Sequence, residues 1–165
     1  METIAVYWEE NIRTYGIQVE KNLCLARADI LPGQLAELGQ QIIELGQDES
    51  NFRLILAHQY EPEVLSLSMV VRGSYHQGLI EFSARPFVKN FFRPFVIDFP
   101  VEMLYFHGPH FGDRYGIADM AGHALQKKDI QYIVMGCSAA SVHILFPENV
   151  ADKAKMALAS VFQAP

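Results

Sequence analysis

The sequence predicts an α+β protein made of two similar units. Three observations carry that expectation. An order β, α, β, β is read in the first half of the chain and returns after residue 100. Each helical stretch carries a single apolar stripe, and the strand stretches are short and apolar or alternating, bounded by turn residues. One element order repeated in two stretches of roughly 80 residues marks an internal duplication.

The elements follow in order. Tyr15 to Val19 and Leu23 to Ala28 read as two extended segments joined by a turn at Lys21-Asn22, a hairpin. After Asp29-Ile30-Leu31-Pro32-Gly33, the residues Leu35, Leu38, Ile42 and Leu45 recur at steps of three, four and three, placing one stripe on a helix that ends at Gly46. Pro32 stands where a first helical turn tolerates proline. Phe52 to Ala57 and Val64 to Val71 read as strands separated by the polar segment Gln59 to Glu63, and the alternation Leu65-Ser66-Leu67-Ser68-Met69 places one face in a core and one in water.

Between Gly73 and Pro100 no period emerges, because Phe82, Phe87, Phe91, Phe92, Phe95 and Phe99 crowd together with Pro86, Pro94 and Pro100. This stretch is expected to be connecting chain with aromatic anchors, serving core or an interface between copies. Val101 to Phe106 then reads as a strand, His107 to Gly116 as a loop, and the segment from Ile117 as a helix with Met120, Ala121, Ala124 and Leu125 on one face. Strands at Ile130 to Met135 and Ser141 to Phe146 follow, and a last helix after Pro147 carries Val150, Ala154, Ala157, Leu158 and Val161. The expected organisation is a first module over 1-84, an aromatic and Pro-rich connector over 85-100, and a second module over 101-165.

Composition narrows the function classes. The 165 residues are 50% hydrophobic and 19% charged, the balance of a folded globular chain. Thirteen Lys and Arg against nineteen Asp and Glu give a net charge of -6 with no basic run, which argues against nucleic acid as a partner. No window approaches the ~20 apolar residues of a membrane span, and the first ten residues show no basic and apolar leader, so a cytoplasmic location is expected. Cys24 and Cys137 are too few for a disulfide scaffold, and both are expected to be buried small hydrophobes.

Three segments resemble a known family, the tandem ACT regulatory region of aspartate kinases. Asp29-Ile30-Leu31-Pro32-Gly33-Gln34-Leu35 resembles the ACT loop-to-helix signature, and Gly136-Cys137-Ser138-Ala139-Ala140-Ser141-Val142-His143-Ile144 is similar to the strand-turn-strand of the second module. Pro147 to Ala154 resembles the closing helix. Ala139 stands where that pattern often has glutamate, and the loop from Gly108 to Gly116 is longer and more aromatic. A kinase needs a catalytic domain of some 250 residues, for which this chain has no room.

The resemblance implies two ferredoxin-like βαββαβ modules and a non-catalytic regulatory protein that binds a small ligand, an amino acid, and acts on a partner enzyme of amino-acid metabolism as a homodimer. A helix start favours a carboxylate, and Asp29 and Asp113 are expected to accept hydrogen bonds from an ammonium group. The implied ligand residues are Asp29, Pro32, Gly33, Gln34 and Leu35 in the first module. In the second they are Phe111, Gly112, Asp113, Arg114, Tyr115, Gly116 and Ile117, with Gly136, Cys137 and Ser138 drawn in by resemblance alone. The same Asp-x-x-Pro-Gly also reads as an ordinary helix start, with aspartate as the cap.

Other constellations are weaker. His107, His110 and Asp113 have metal-ligand character, and with Arg114 they form the alternative of a metal-binding protein or small enzyme; a purely structural docking subunit is the third reading. Gly136 to Ala140 is no nucleophile elbow, because a strand pattern rather than a helix follows. Cys137 with His143 lacks an orienting third group. No phosphate-cradling or dinucleotide fingerprint is present, so neither a cofactor nor a resident metal is expected.

Overall fold

The computed structural model describes residues 12–45, 52–109, 111–138 and 140–163. The elements are β1 (Ile12–Arg13), β2 (Ile17–Ile30), α1 (Leu35–Leu45), β3 (Phe52–Glu61), β4 (Val64–Arg72), α2 (His76–Ser83), β5 (Val96–His107), α3 (Ile117–Gln126), β6 (Val134–Cys137), β7 (Ser141–Pro147), α4 (Ala151–Leu158) and β8 (Phe162–Gln163). They form two compact units. The first comprises Met1–Lys21 with Glu102–Pro165, and the second is Asn22–Val101.

The second unit runs β, α, β, β, α, β along the chain. Its strands stand in the order β3, β4, β2, β5, with β2 antiparallel to β4 (Cys24 opposite Val71, Ile30 opposite Leu65) and β3 antiparallel to β4. Alternate residues of β2 (Cys24, Ala26, Ala28 and Ile30) and of β4 (Leu67, Met69, Val71) share a core with Leu38 of α1 and with Leu79 and Phe82 of α2. A period-2 selection from the strands means that both helices cover one face of the sheet.

The first unit builds the same arrangement from separated pieces. Its strand order is β6, β7, β5, β2, with β6 antiparallel to β7 (Met135 opposite Ile144). Leu104 and Phe106 of β5 and Val142, Ile144 and Phe146 of β7 pack with Ala121, Ala124 and Leu125 of α3 and with Ala151, Ala154, Ala157 and Leu158 of α4. The small alanine faces let these helices lie close to the large aromatic and branched residues of the strands. The chain is thus an α+β protein of two ferredoxin-like βαββαβ modules. Among the described residues no helix is long and apolar enough to cross a membrane.

Four sequence expectations change. The hairpin expected at Lys21-Asn22 is one continuous strand of 14 residues, in which Asn22 takes a left-handed φ of 55° without ending the strand; asparagine tolerates that region, so a turn signal here is only an irregularity. The stretch expected as a connector lies inside the second unit, which it helps to build. Residues 76–83, read with it as patternless chain, are α2, and Val96 begins the closing strand.

Most of the phenylalanine cluster is core. Phe82 and Phe91 are buried, and the ring pairs Phe82–Phe95, Phe87–Phe91 and Phe91–Phe95 have centroids 5.7, 5.2 and 6.3 Å apart. Residues 130–133 are not strand: Ile130 is buried and its N–H donates to Leu125 O at 3.1 Å, wrapping the end of α3. Cys24 is buried as expected, but Cys137 is exposed at the end of β6, a sheet edge.

Candidate functional site

The residues implicated by the sequence fall in two strand-to-helix loops, one in each unit. In the second unit, β2 delivers Asp29 and the chain passes through a 3-10 turn at Pro32–Gln34 into α1. Asp29 does not cap the helix. Its Oδ1 accepts a hydrogen bond from Ser66 Oγ on β4, and its Oδ2 accepts from Arg93 Nη1 at 3.0 Å. The Asp29 carbonyl accepts from the N–H groups of Phe92 and Arg93 at 2.9 and 3.4 Å, while Arg93 Nη2 also donates to Glu61 at 2.9 Å.

The cap is supplied by Gln34 instead. Its Oε1 accepts from the Leu31 N–H at 2.9 Å, and its Nε2 donates to the Asn90 carbonyl at 3.2 Å. Pro32, Gly33 and Leu35 are exposed, and a Cβ on Gly33 would meet nothing within 4 Å. Both charged and polar groups of this loop are therefore engaged by the chain itself. A ligand ammonium at Asp29 would have to displace a charge-assisted hydrogen bond from a guanidinium.

The first unit's loop is built differently. Gly108 leaves β5 in close contact with the backbone, since a Cβ there would stand 2.3 Å from Arg13 O and 2.5 Å from the Phe111 ring. Phe111 is buried, edge-on to Phe106 with centroids 5.9 Å apart, and anchors the loop from below. Gly112 is exposed and Tyr115 is 93% exposed. Gly116 takes a left-handed φ of 83° at the start of α3, with open space around its Cα, and its carbonyl accepts from Met120 N at 2.9 Å. A glycine cap brings no side-chain acceptor, so among the described side chains nothing occupies the first N–H groups of α3. Ile117 turns into the core.

The third group lies on β6 and the turn after it. Gly136 is buried, Cys137 and Ser138 are exposed, and Ser138 Oγ is spent on the turn, 2.8 Å from Ser141 Oγ and accepting from Ser141 N at 3.2 Å. β7 stands between β6 and β5, one strand removed from the loop that β5 feeds. Desolvation raises the Cys137 thiol above its ordinary value and lowers the His143 imidazole. The His143 ring stacks on Tyr105 at 5.9 Å, and Tyr105 Oη donates to Gln18. His107 packs on Tyr15 at 5.2 Å. His110 and the Asp113 side chain lie outside the described residues. Among those described, no group of three His, Cys, Asp or Glu is placed to hold a metal ion.

Two features escaped the sequence reading. In the first unit, the buried Glu102 sends its carboxylate to the start of α4, where Oε2 accepts from the N–H groups of Val150 and Ala151 at 3.1 and 2.8 Å, with Lys21 Nζ 3.6 Å away. In the second unit a cleft of about 590 Å³ opens between α1 and the segment after α2, lined among others by Gln34, Glu37, Gln41, Arg85, Phe87 and Asn90. Its only sequence signal is the polar set 34, 37 and 41, which falls on one helical stripe.

No protein-family model matches the chain, and no curated protein matches it in sequence. Solved structures do resemble it. The regulatory subunit of aspartate kinase from Thermus flavus superposes with a TM-score of 0.75 at 13% identity, covering 90% of this chain and 97% of that one. The ligand-free regulatory subunit of aspartate kinase from Thermus thermophilus gives 0.73 at 14% identity, covering 91% and 99%. E. coli aspartokinase III, in complex with lysine and aspartate in its T-state, gives 0.58 at 15% identity over 89% of this chain and 33% of that one. At these identities the likeness establishes the fold alone, an α+β chain of ferredoxin-like modules.

Proposed function

We propose that the chain is a non-catalytic regulatory protein of ACT type that binds an amino acid at the strand-to-helix loop of its first unit and passes the binding state to a partner enzyme. The observation that carries this reading is the glycine-capped start of α3, where Tyr115 is exposed, Gly116 is left-handed and, among the described side chains, none caps the first helix N–H groups. A ligand carboxylate at those groups gains both hydrogen bonds and the favourable end of the helix dipole. Asp113 and Arg114 bracket the same loop and supply the charges that a zwitterion needs.

The structural likeness supports the regulatory half of the reading, because the similar subunits from both Thermus species are regulatory chains of nearly this length. The relative solved with lysine and aspartate supports an amino acid as ligand class. Edge strands β3 and β6 leave unpaired backbone, which suits a homodimer. Regulation then takes the form of a coupling free energy of about 1–3 kcal/mol between the loop and the partner surface.

The test is a thermal-shift panel of the twenty amino acids. A ligand at 100 times its Kd adds about 2.7 kcal/mol, several degrees in a protein of this size. The reading expects one amino acid, or a chemically related few, to raise the melting temperature, with the rise abolished in Tyr115→Ala and Asp113→Ala. A panel with no response, or a response unchanged in both variants, would contradict it.

A further inference from the structure

The cleft of the second unit has the dimensions and lining of a ligand site that the reading above does not use. At about 590 Å³ it falls within the range of small-molecule pockets. One wall is polar, Gln34 of the 3-10 turn with Glu37 and Gln41 of α1; the other is the Arg85–Asn90 segment. A polar helix stripe ordinarily faces water alone, whereas this one faces protein across a gap.

The gap is held at both ends. Gln34 Nε2 donates to the Asn90 carbonyl at 3.2 Å, and Arg85 Nη1 donates to Gln41 Oε1 at 2.6 Å. Arg85 is itself fixed over the Phe82 ring at 5.5 Å, and Phe87 is braced edge-on against Phe91 at 5.2 Å. Positions 34 and 41 are about 10 Å apart along a helix, so two side-chain bridges keep the walls apart over that length. Such a frame costs little to organise on binding.

Between the bridges stand groups whose bonding is incomplete. Among the described residues Glu37 has no hydrogen bond or ion pair, Gln41 uses its oxygen but not its Nε2, and the Asn90 side-chain amide has no partner. A carboxylate, an amide donor and the half-buried ring of Phe87 together select a positive charge, an acceptor and an apolar body between them. We propose that this cleft is a second binding site, taking a small organic cation that carries a carbonyl acceptor, with Glu37 on the cation, Gln41 Nε2 or the Asn90 amide on the carbonyl, and Phe87 against the chain that joins them.

The probe is 6-aminohexanamide, which carries an ammonium and a carbonyl joined by an apolar chain and no carboxylate, so that binding at α3 is not what is read. Amide resonances of the 15N-labelled full chain are followed, with hexanamide as the uncharged counterpart. The proposal expects saturable shifts at residues 34–41 and 85–90 at about millimolar concentration, weakened about tenfold or more in Glu37→Gln and nearly absent with hexanamide. Glu37 is exposed, so the variant keeps its fold, which unchanged resonances of β4 in the same unit verify. Phe87→Leu is expected to weaken binding severalfold. Absence of saturation up to tens of millimolar, equal shifts with hexanamide, or an affinity unchanged in Glu37→Gln would overturn the proposal.

Discussion

The two units each place a strand-to-helix loop at the same point of the fold, yet the second unit's is held by its own side chains, whereas among the described residues no side chain caps the first unit's helix start. In the second unit Asp29 is held by Ser66 and Arg93, and Gln34 caps Leu31. In the first, a glycine starts α3 and Tyr115 projects into solvent. The two units share a fold, and a few distant side chains distinguish their loops. Arg93 lies 64 residues from Asp29, so the closing contact belongs to the fold and not to the local motif.

The units also differ in where their polar linchpin sits, and this sets the largest expected effect. Glu102 is buried and serves two helix N–H groups, whereas the Arg93–Asp29 pair is partly in water. Glu102→Ala is expected to cost about 3 kcal/mol, because one buried and one part-buried N–H at the start of α4 lose their acceptor. Urea unfolding reads it, and a cost below that of Arg93→Ala would break the comparison. Arg93→Ala itself is expected to cost only about 1 kcal/mol.

The loop glycines separate next. Gly108→Ala forces a Cβ onto the Arg13 carbonyl and is expected to destabilise by about 2 kcal/mol. Gly33→Ala meets open space and is expected to be neutral or to stabilise by about 0.5 kcal/mol, through the unfolded chain. Melting temperatures of the pair decide this, and a loss at Gly33 would mean that the second loop is more tightly packed than its geometry indicates.

The smallest effect is a pH dependence carried by His143. Its imidazole is lowered by desolvation, so the unfolded chain binds this proton more readily than the folded one. Stability from this group is complete above about pH 6.5, the unfolded value, and falls as the pH drops from there toward the folded value. His143→Gln is expected to flatten that part of the stability-pH curve, and an unchanged slope would assign it to other groups.

Much of this fold is legible in the sequence, because α1, α3 and α4 carry an apolar stripe, β4 alternates, and β3 and β7 are short apolar runs. The illegible part has identifiable causes. Aromatic residues on several faces hide the period of α2, whose buried positions are Leu79 and Phe82. Lys21-Asn22 looks like a turn because asparagine accepts a left-handed angle inside a strand. The candidate loops were legible as helix starts, but the state of each was not. Asp29 and Asp113 look alike in sequence, and only long-range partners distinguish the loop around Asp29 from the one that leads into Gly116.

The most direct test of the central claim, that the first unit's loop binds and the second's is closed, is an amide chemical-shift map of the 15N-labelled chain in an equimolar mixture of amino acids. The account predicts movement concentrated at residues 111–117, with Ile30, Leu31, Gly33 and Gln34 still. Movement at Ile30 to Gln34 with residues 111–117 still, or no movement at either loop, would contradict it.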